Sequence, residues 1–308
     1  MPFDNGTFTK LYDWLGNKTD IPRKRGDSLN QEFENFSDGL TDLKSEIDAK
    51  ASTSQVREKL TANRTYYVRT DGSDSNDGLS NTSGGAFLTI QKAYDTICTL
   101  DLGGYTATIS VADGTYTDRL SINKPFVGGN VTLTGSTSAI ISPSSGTCIE
   151  LSAATTGSLQ INGMKLTSIG SVGRGIYIKA SGLVLFSGTE FGECSANHIL
   201  CNTSGARVEA NGNYSITGDT PYHWTASYGG VIIVSGRTIT LTGTPDFNAF
   251  AQASNAGIVL CNADTFTGSA TGLRYAATTN GVVNSAGSGA TYLPGDSAGQ
   301  TNSGGQYA

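Results

Sequence analysis

The chain has 308 residues and a formal charge of −6, with only 15% of its positions charged. This length permits one large domain or two smaller ones with a substantial core, and the acidic balance excludes sequence-independent binding to a phosphate backbone, which needs a basic face. Two histidines and five widely spaced cysteines with no C-x-x-C pair give no zinc pattern and no disulfide framework, so neither metal nor cofactor is expected and the cysteines read as small buried hydrophobes.

Glycine fills 40 positions and proline only 7, and Ser, Thr and Asn dominate after Thr65. Many short strands joined by tight polar turns have this composition, so the chain reads as all-β. The opening MPFDNGTFTKLYDW carries neither a basic region nor an apolar stretch of the secretory kind, and no apolar run approaches a membrane span.

In chain order, residues 1–26 scatter Phe3, Phe8, Tyr12, Trp14 and Ile21 among polar residues and cannot build a core of their own. They read as an anchor that folds against a partner, with a disordered tail as the alternative. Residues 27–62 open with Leu29, Phe33, Phe36, Leu40, Leu43 and Ile47, which alternate steps of four and three. Phe33, Leu40 and Ile47 then fall at a, and Leu29, Phe36 and Leu43 at d, of a short coiled-coil stalk. A single amphipathic helix packed on its own domain fits the same period. Gly39 weakens either helix by roughly 1 kcal/mol.

Within residues 63–105, Phe87 to Ile97 places Phe87, Ile90, Ala93, Tyr94 and Ile97 at helical spacing behind Thr89, a good N-cap. A lone helix there would cover the open first turn of whatever follows. The preceding DGSDSNDG, Asp71 to Gly78, departs from the calcium-loop spacing and reads as a structural turn.

Residues 106–270 repeat. Short apolar runs carrying Ile149, Ile176, Ile199, Ile232 and Ile258 form one ladder, and the runs that begin at Gly157, Gly182, Gly205 and Gly236 form a second. Two ladders in phase predict a parallel β-helix, in which each turn contributes about three strands and inward residues stack about 4.8 Å apart. The expected columns hold Ile149, Ile176 and Ile199 in one sheet and Ile161, Leu185 and Val208 in another. Third strands are expected at Met164 to Leu166, Thr189 to Phe191 and Tyr214 to Ile216, and earlier turns between Thr106 and Ser142. Residues 271–308 are too sparse in apolar side chains to assign to the solenoid.

The longest interval separates Ile199 from Ile232 and predicts an inserted loop, Gly218 to Gly230, carrying Tyr222, His223, Trp224 and Tyr228. Aromatics on a projecting loop would stack on sugar rings, the alternative being packing between subunits or against the neighbouring turn. Glycoside hydrolysis needs two carboxylates flanking one bond. Glu150, Glu190, Glu193, Glu209, Asp219 and Asp246 fall on no common face by spacing, so no catalytic residue is assigned.

The segment TYYVRTDGSDSNDGLSNTSGGAFLTIQKAYDTI, followed by ISVADGTY, resembles the start of pectate-lyase-like right-handed parallel β-helix proteins. Thr7, Phe8, Leu11, Tyr12, Trp14, Ile21 and Arg23 resemble the virion-attachment segment of phage tail fibres and tailspikes, and Thr271 to Ala308 resembles the C-terminal segment of the same proteins. The resemblance implies a homotrimer made in the host cytoplasm and released with the particle. It would be attached through its N-terminus to tail or capsid proteins and adsorb to a host surface polysaccharide, with no role for nucleic acid or membrane insertion. A polysaccharide depolymerase and a structural adaptor carrying another adhesin are the alternatives.

Overall fold

The structure, a computed structural model, describes residues 23–50 and 57–308, with side chains for 30–48 and 57–308. The expected anchor residues Phe3, Phe8, Tyr12, Trp14 and Ile21 lie outside the described residues. Two units divide the chain, Met1–Arg57 and Glu58–Ala308.

In the first unit, helix α1 (Arg23–Lys50) contains the heptad run. Phe33, Phe36, Leu40, Leu43 and Ile47 are all exposed, between 37% and 58% of each surface being open. Leu29 lies in the same helix with its side chain outside the described ones. The described seam residues therefore find no cover within this unit. Lys44 and Asp48, paired at 2.6 Å one helical turn apart, flank the seam.

The second unit is a parallel β-solenoid of about eight turns. Its first strand pair is Glu58–Lys59 with Leu100–Asp101, and Leu60 is already buried, so the solenoid begins before residue 63. Three parallel sheets of ten, seven and eight strands follow, here numbered sheets 1, 2 and 3, and the turns between Thr106 and Ala277 visit them in that order. One full turn runs through Ser158–Asn162, Lys165–Ser168 and Arg174–Ile178.

Strand alternation sets the core, because every second side chain points inward. In sheet 3, Ile149, Ile176 and Ile199 stack as expected, and the column continues through Trp224, Ala251 and Tyr275. A bulky Trp224 is accommodated by the small Ala251 above it. In sheet 1, Ile161 stacks on Phe186 and Ala210, whereas Val208 belongs to the column of Leu159 and Val184. Leu185 points outward, one position out of the expected register. Sheet 2 aligns Leu166, Phe191, Ile216 and Leu241.

Two further departures share one cause. Val231–Ser235 and Ile258–Asn262 lie in sheet 1, and Thr238–Leu241 lies in sheet 2, so Ile232, Ile258 and the run at Gly236 leave the ladders first assigned to them. Ile199 is followed in its column by Trp224, not by Ile232. Counting from the correct neighbour, Ile199 and Trp224 are separated by an ordinary turn with no insertion. Residues 271–308 continue the solenoid, with Thr271–Ala277 and Gln300–Thr301 in sheet 3 and Val282–Asn284 and Gln306–Tyr307 in sheet 1. Tyr275 and Tyr307 stack there at 3.9 Å between ring centres.

Helix α2 (Ile90–Ile97) buries Ile90, Ala93, Tyr94 and Ile97 against the first turn, and the Thr89 hydroxyl accepts from the Lys92 N–H as its N-cap. Phe87, also buried, precedes the helix and bridges to Val68. Asp74 holds the cap: its carboxylate accepts from the Leu88 and Thr89 amides at 3.0 and 2.9 Å and from the Thr89 hydroxyl at 2.8 Å. Asp71 pairs with Arg69, and Asp77 accepts from the Leu79 amide. The acidic turn thus spends its oxygens on its own chain.

Asp74→Ala leaves three donors without an acceptor and is expected to cost about 1–3 kcal/mol. Thermal unfolding should show the loss, while adding calcium or a chelator to the unmodified protein should leave its Tm unchanged. A chelator-sensitive Tm would restore the calcium reading.

Candidate functional site

The four residues expected on an inserted loop are separated by the fold. Tyr222–Ala226 is a strand of sheet 3, and within it His223 and Trp224 are fully buried. Tyr222 is half-buried, and Tyr228, at the following turn, is 63% exposed. Only Tyr228 is freely open to a ligand in solution. Trp224 instead takes the column place of an isoleucine, packing edge to face on Phe250 at 4.7 Å.

His223 joins a buried polar chain whose proton positions follow from one carbonyl. His198 Nε2 lies 2.8 Å from the Gly192 carbonyl oxygen, which only accepts, so Nε2 carries the proton and Nδ1 of the neutral ring accepts. His223 Nδ1, 2.9 Å away, must then donate to His198 Nδ1, leaving His223 Nε2 to accept from the Tyr214 hydroxyl at 2.9 Å. Every ring nitrogen is satisfied with both imidazoles neutral. Burial lowers His198 to about 3 against a weaker opposing effect of the Gly192 carbonyl, and burial together with His198 lowers His223 well below its ordinary value. Phe186, Phe191 and Phe250 surround the group. It is core architecture, with no route to a ligand.

The carboxylates do not assemble a hydrolytic pair. Glu150 is bonded to Lys179 at 2.8 Å and Glu209 to Arg207 at 2.8 Å. Burial raises Glu190, but the Lys165 ammonium at 2.7 Å and the Thr217 hydroxyl more than offset this and leave it below the usual value. Asp219 accepts from the Asp246 amide, and Asp246 from the Thr271 hydroxyl. Asp264, which spacing did not single out, is the one carboxyl among the described residues whose pKa is raised, to about 6 by burial. Its Oδ1 accepts from the Arg237 amide at 2.8 Å, its Oδ2 has no partner, and its own amide donates to the Tyr292 hydroxyl at 2.6 Å.

A concave surface lies elsewhere, on the corner between sheets 3 and 1. A groove of about 450 Å³ is lined there by Asn130, Thr155, Thr156, Ser158, Ser181, Leu183 and Arg207 with three glycines, drawn from successive turns. Gly182 packs so closely that a Cβ on it would lie 2.7 Å from Thr155 Oγ1. Farther along the same corner the chain makes one turn repeatedly: Gly230, Gly257, Gly281 and Gly305 each donate to the carbonyl three residues back. Both central residues have positive φ, including Tyr228 at 51° before Gly229 at 76°. Small polar residues suit that geometry, and the turns at Asn255, Thr279 and Ser303 mostly use them. Tyr228 is the bulky exception, held in a conformation unusual for an aromatic residue and projecting into solvent one turn beyond Ser204 and Gly205.

Hydroxyls and an exposed ring along one rigid edge are the complement of a polyhydroxylated ligand. A sequence signal for this edge exists: ATTGS, KASG, NTSG, ASYGG, ASNAG and ATTNG precede successive strands of sheet 1, and only one of them contains an aromatic.

Two buried groups give opposite pH signs. The imidazoles have folded values below their unfolded value of 6.5, so their stabilisation is complete above it and lost as the pH falls toward about 3. Asp264, raised from 3.8 to about 6, contributes stability below 3.8 that is lost as the pH rises through about 6. Asp264→Asn is therefore expected to raise stability at pH 7.5 by about 1–3 kcal/mol and to have no stabilising effect near pH 3.5, as read by denaturant unfolding at the two pH values. No family model, curated protein or solved structure matches the chain.

Proposed function

We propose that this chain is a non-enzymatic, homotrimeric virion fibre or spike protein that adsorbs to a host surface glycan. The observation that carries the reading is helix α1, whose five described heptad residues are exposed although the helix is otherwise polar. A seam of that period loses its exposure in a parallel bundle of identical helices, and a parallel β-solenoid in the same chain offers long rigid edges for contact. The likeness of residues 1–26 and 271–308 to the ends of phage tail fibres supplies the virion part of the proposal, with residues 1–26 attaching to tail or capsid proteins. The glycan part is supported by the hydroxyls of Thr155, Thr156 and Ser181 on the turns of one corner and by Tyr228 farther along it.

A polysaccharide depolymerase is the second reading, favoured by Asp264 alone, whose raised pKa suits a general acid. It lacks a second carboxylate and sits only 7% exposed.

Light scattering of the full chain should give three times the chain mass, and a single-chain mass would remove the trimer. Tyr228→Ala should weaken binding to host-surface polysaccharide about 5- to 30-fold with Tm unchanged, because one stacked ring contributes on the order of 1–2 kcal/mol. Trp224→Ala should instead cost about 3–5 kcal/mol of stability. Undiminished binding by Tyr228→Ala would remove the corner as the glycan site, and reducing ends released by the parent but not by Asp264→Asn would replace adsorption with hydrolysis.

A further inference from the structure

Sheet 1 is apolar on its outer face as well as its inner one over part of its length. The outward positions of its longer strands fall in three columns, of which the third is polar and holds Ser187, Ser235 and Asn262, while the first two give each strand one row of two side chains. The rows Leu183 and Leu185, Val231 and Ile233, and Ile258 and Leu260 are entirely apolar and half-buried. Between the first and second of these rows lies Arg207 beside Glu209, ion-paired at 2.8 Å within the chain. Sheet 2 is different: its outward column reads Lys165, Glu190, Ser215, Thr240 and Thr267. Parallel sheets are ordinarily covered on both faces, and a contiguous apolar patch on a solvent face marks a contact surface.

We propose that this face is covered by two further copies of the same chain, the first column of one copy against the second column of the next around a threefold axis parallel to the solenoid axis. The inference rests on the trimeric reading above and adds which surface of the solenoid makes the contact. In such a ring equivalent residues share one height, so each row meets its own row. Val231 then faces Ile233, Ile258 faces Leu260, and Arg207 faces Glu209, so every level is matched to itself in polarity and the only charged level is matched in sign. An isologous contact, column against like column, would set Arg207 on Arg207 and Glu209 on Glu209, and like charges so placed repel.

The test is cysteine cross-linking of the full chain. In Val231→Cys with Ile233→Cys the two new side chains lie about 6.6 Å apart on one strand, too far for a bond within the chain, where Cβ atoms must approach to about 3.8 Å. The five native cysteines are buried. Under mild oxidation the double variant should run as a covalent trimer, each single variant as a monomer, and the two singles mixed and refolded together as a dimer. Dimers from either single variant alone would mean that like columns meet, overturning the arrangement. Three-chain mass without cross-linking would overturn the contact face and leave the trimeric reading intact, whereas a single-chain mass would overturn both. Charge reversal gives a second route that does not alter the apolar rows. Arg207→Glu should raise the concentration at which half the assembly dissociates at least tenfold, and Arg207→Glu with Glu209→Arg should restore it; an unchanged single variant would overturn the proposal.

Discussion

Vertical stacking of inward side chains is the constraint on which this structure depends. Each inward residue has an equivalent about 4.8 Å above and below, so its size is fixed by its column and not only by its neighbours in sequence. The column that passes from Ile199 through Trp224 to Ala251 shows the compensation: a large ring is tolerated because the next level gives up volume. The same demand explains why the ends need special treatment. At the start α2 and Phe87 fill the space below the first level, and at the other end the Tyr275 and Tyr307 rings stack face to face.

The buried histidine cluster in this dry interior is a closed set. The relay from Tyr214 through His223 and His198 to Gly192 uses each donor once and each acceptor once, which is the condition for a neutral histidine pair to lie in an aromatic core. Asp264 does not meet that condition, because one oxygen lacks a partner. It is therefore a local cost, and its proximity to Tyr292 and Arg237 does not remove it.

Much of the solenoid was legible in the chain because apolar alternation reports directly which residues point inward. The Ile149, Ile176 and Ile199 column and the sheet 2 strands follow from that rule, and the Thr89 cap follows from the helical spacing behind it. Matching by isoleucine failed where the column substitutes Trp224, and the nearest isoleucine, Ile232, lies in a different sheet. The resulting false gap suggested a loop that is absent. Leu185 was misplaced for another reason: in Leu183, Val184, Leu185 and Phe186 both faces are apolar, so alternation cannot say which side is inside. Asp264 was invisible because Tyr292, which helps bury it, comes from the following turn. The grooved corner was missed because it is built from residues that look like ordinary turn-formers one at a time.

The repeated turn between sheets 3 and 1 separates two kinds of change. Its side chains project from a backbone shape held by glycines and by hydrogen bonds to adjacent turns, and none of them contributes to an inward column. Residues along that edge can be exchanged with little effect on folding, as the presence of tyrosine at position 228 among small polar residues already illustrates. The solenoid thereby offers a row of evenly spaced, independently variable positions on an invariant frame, a format in which recognition of a new surface can evolve one turn at a time.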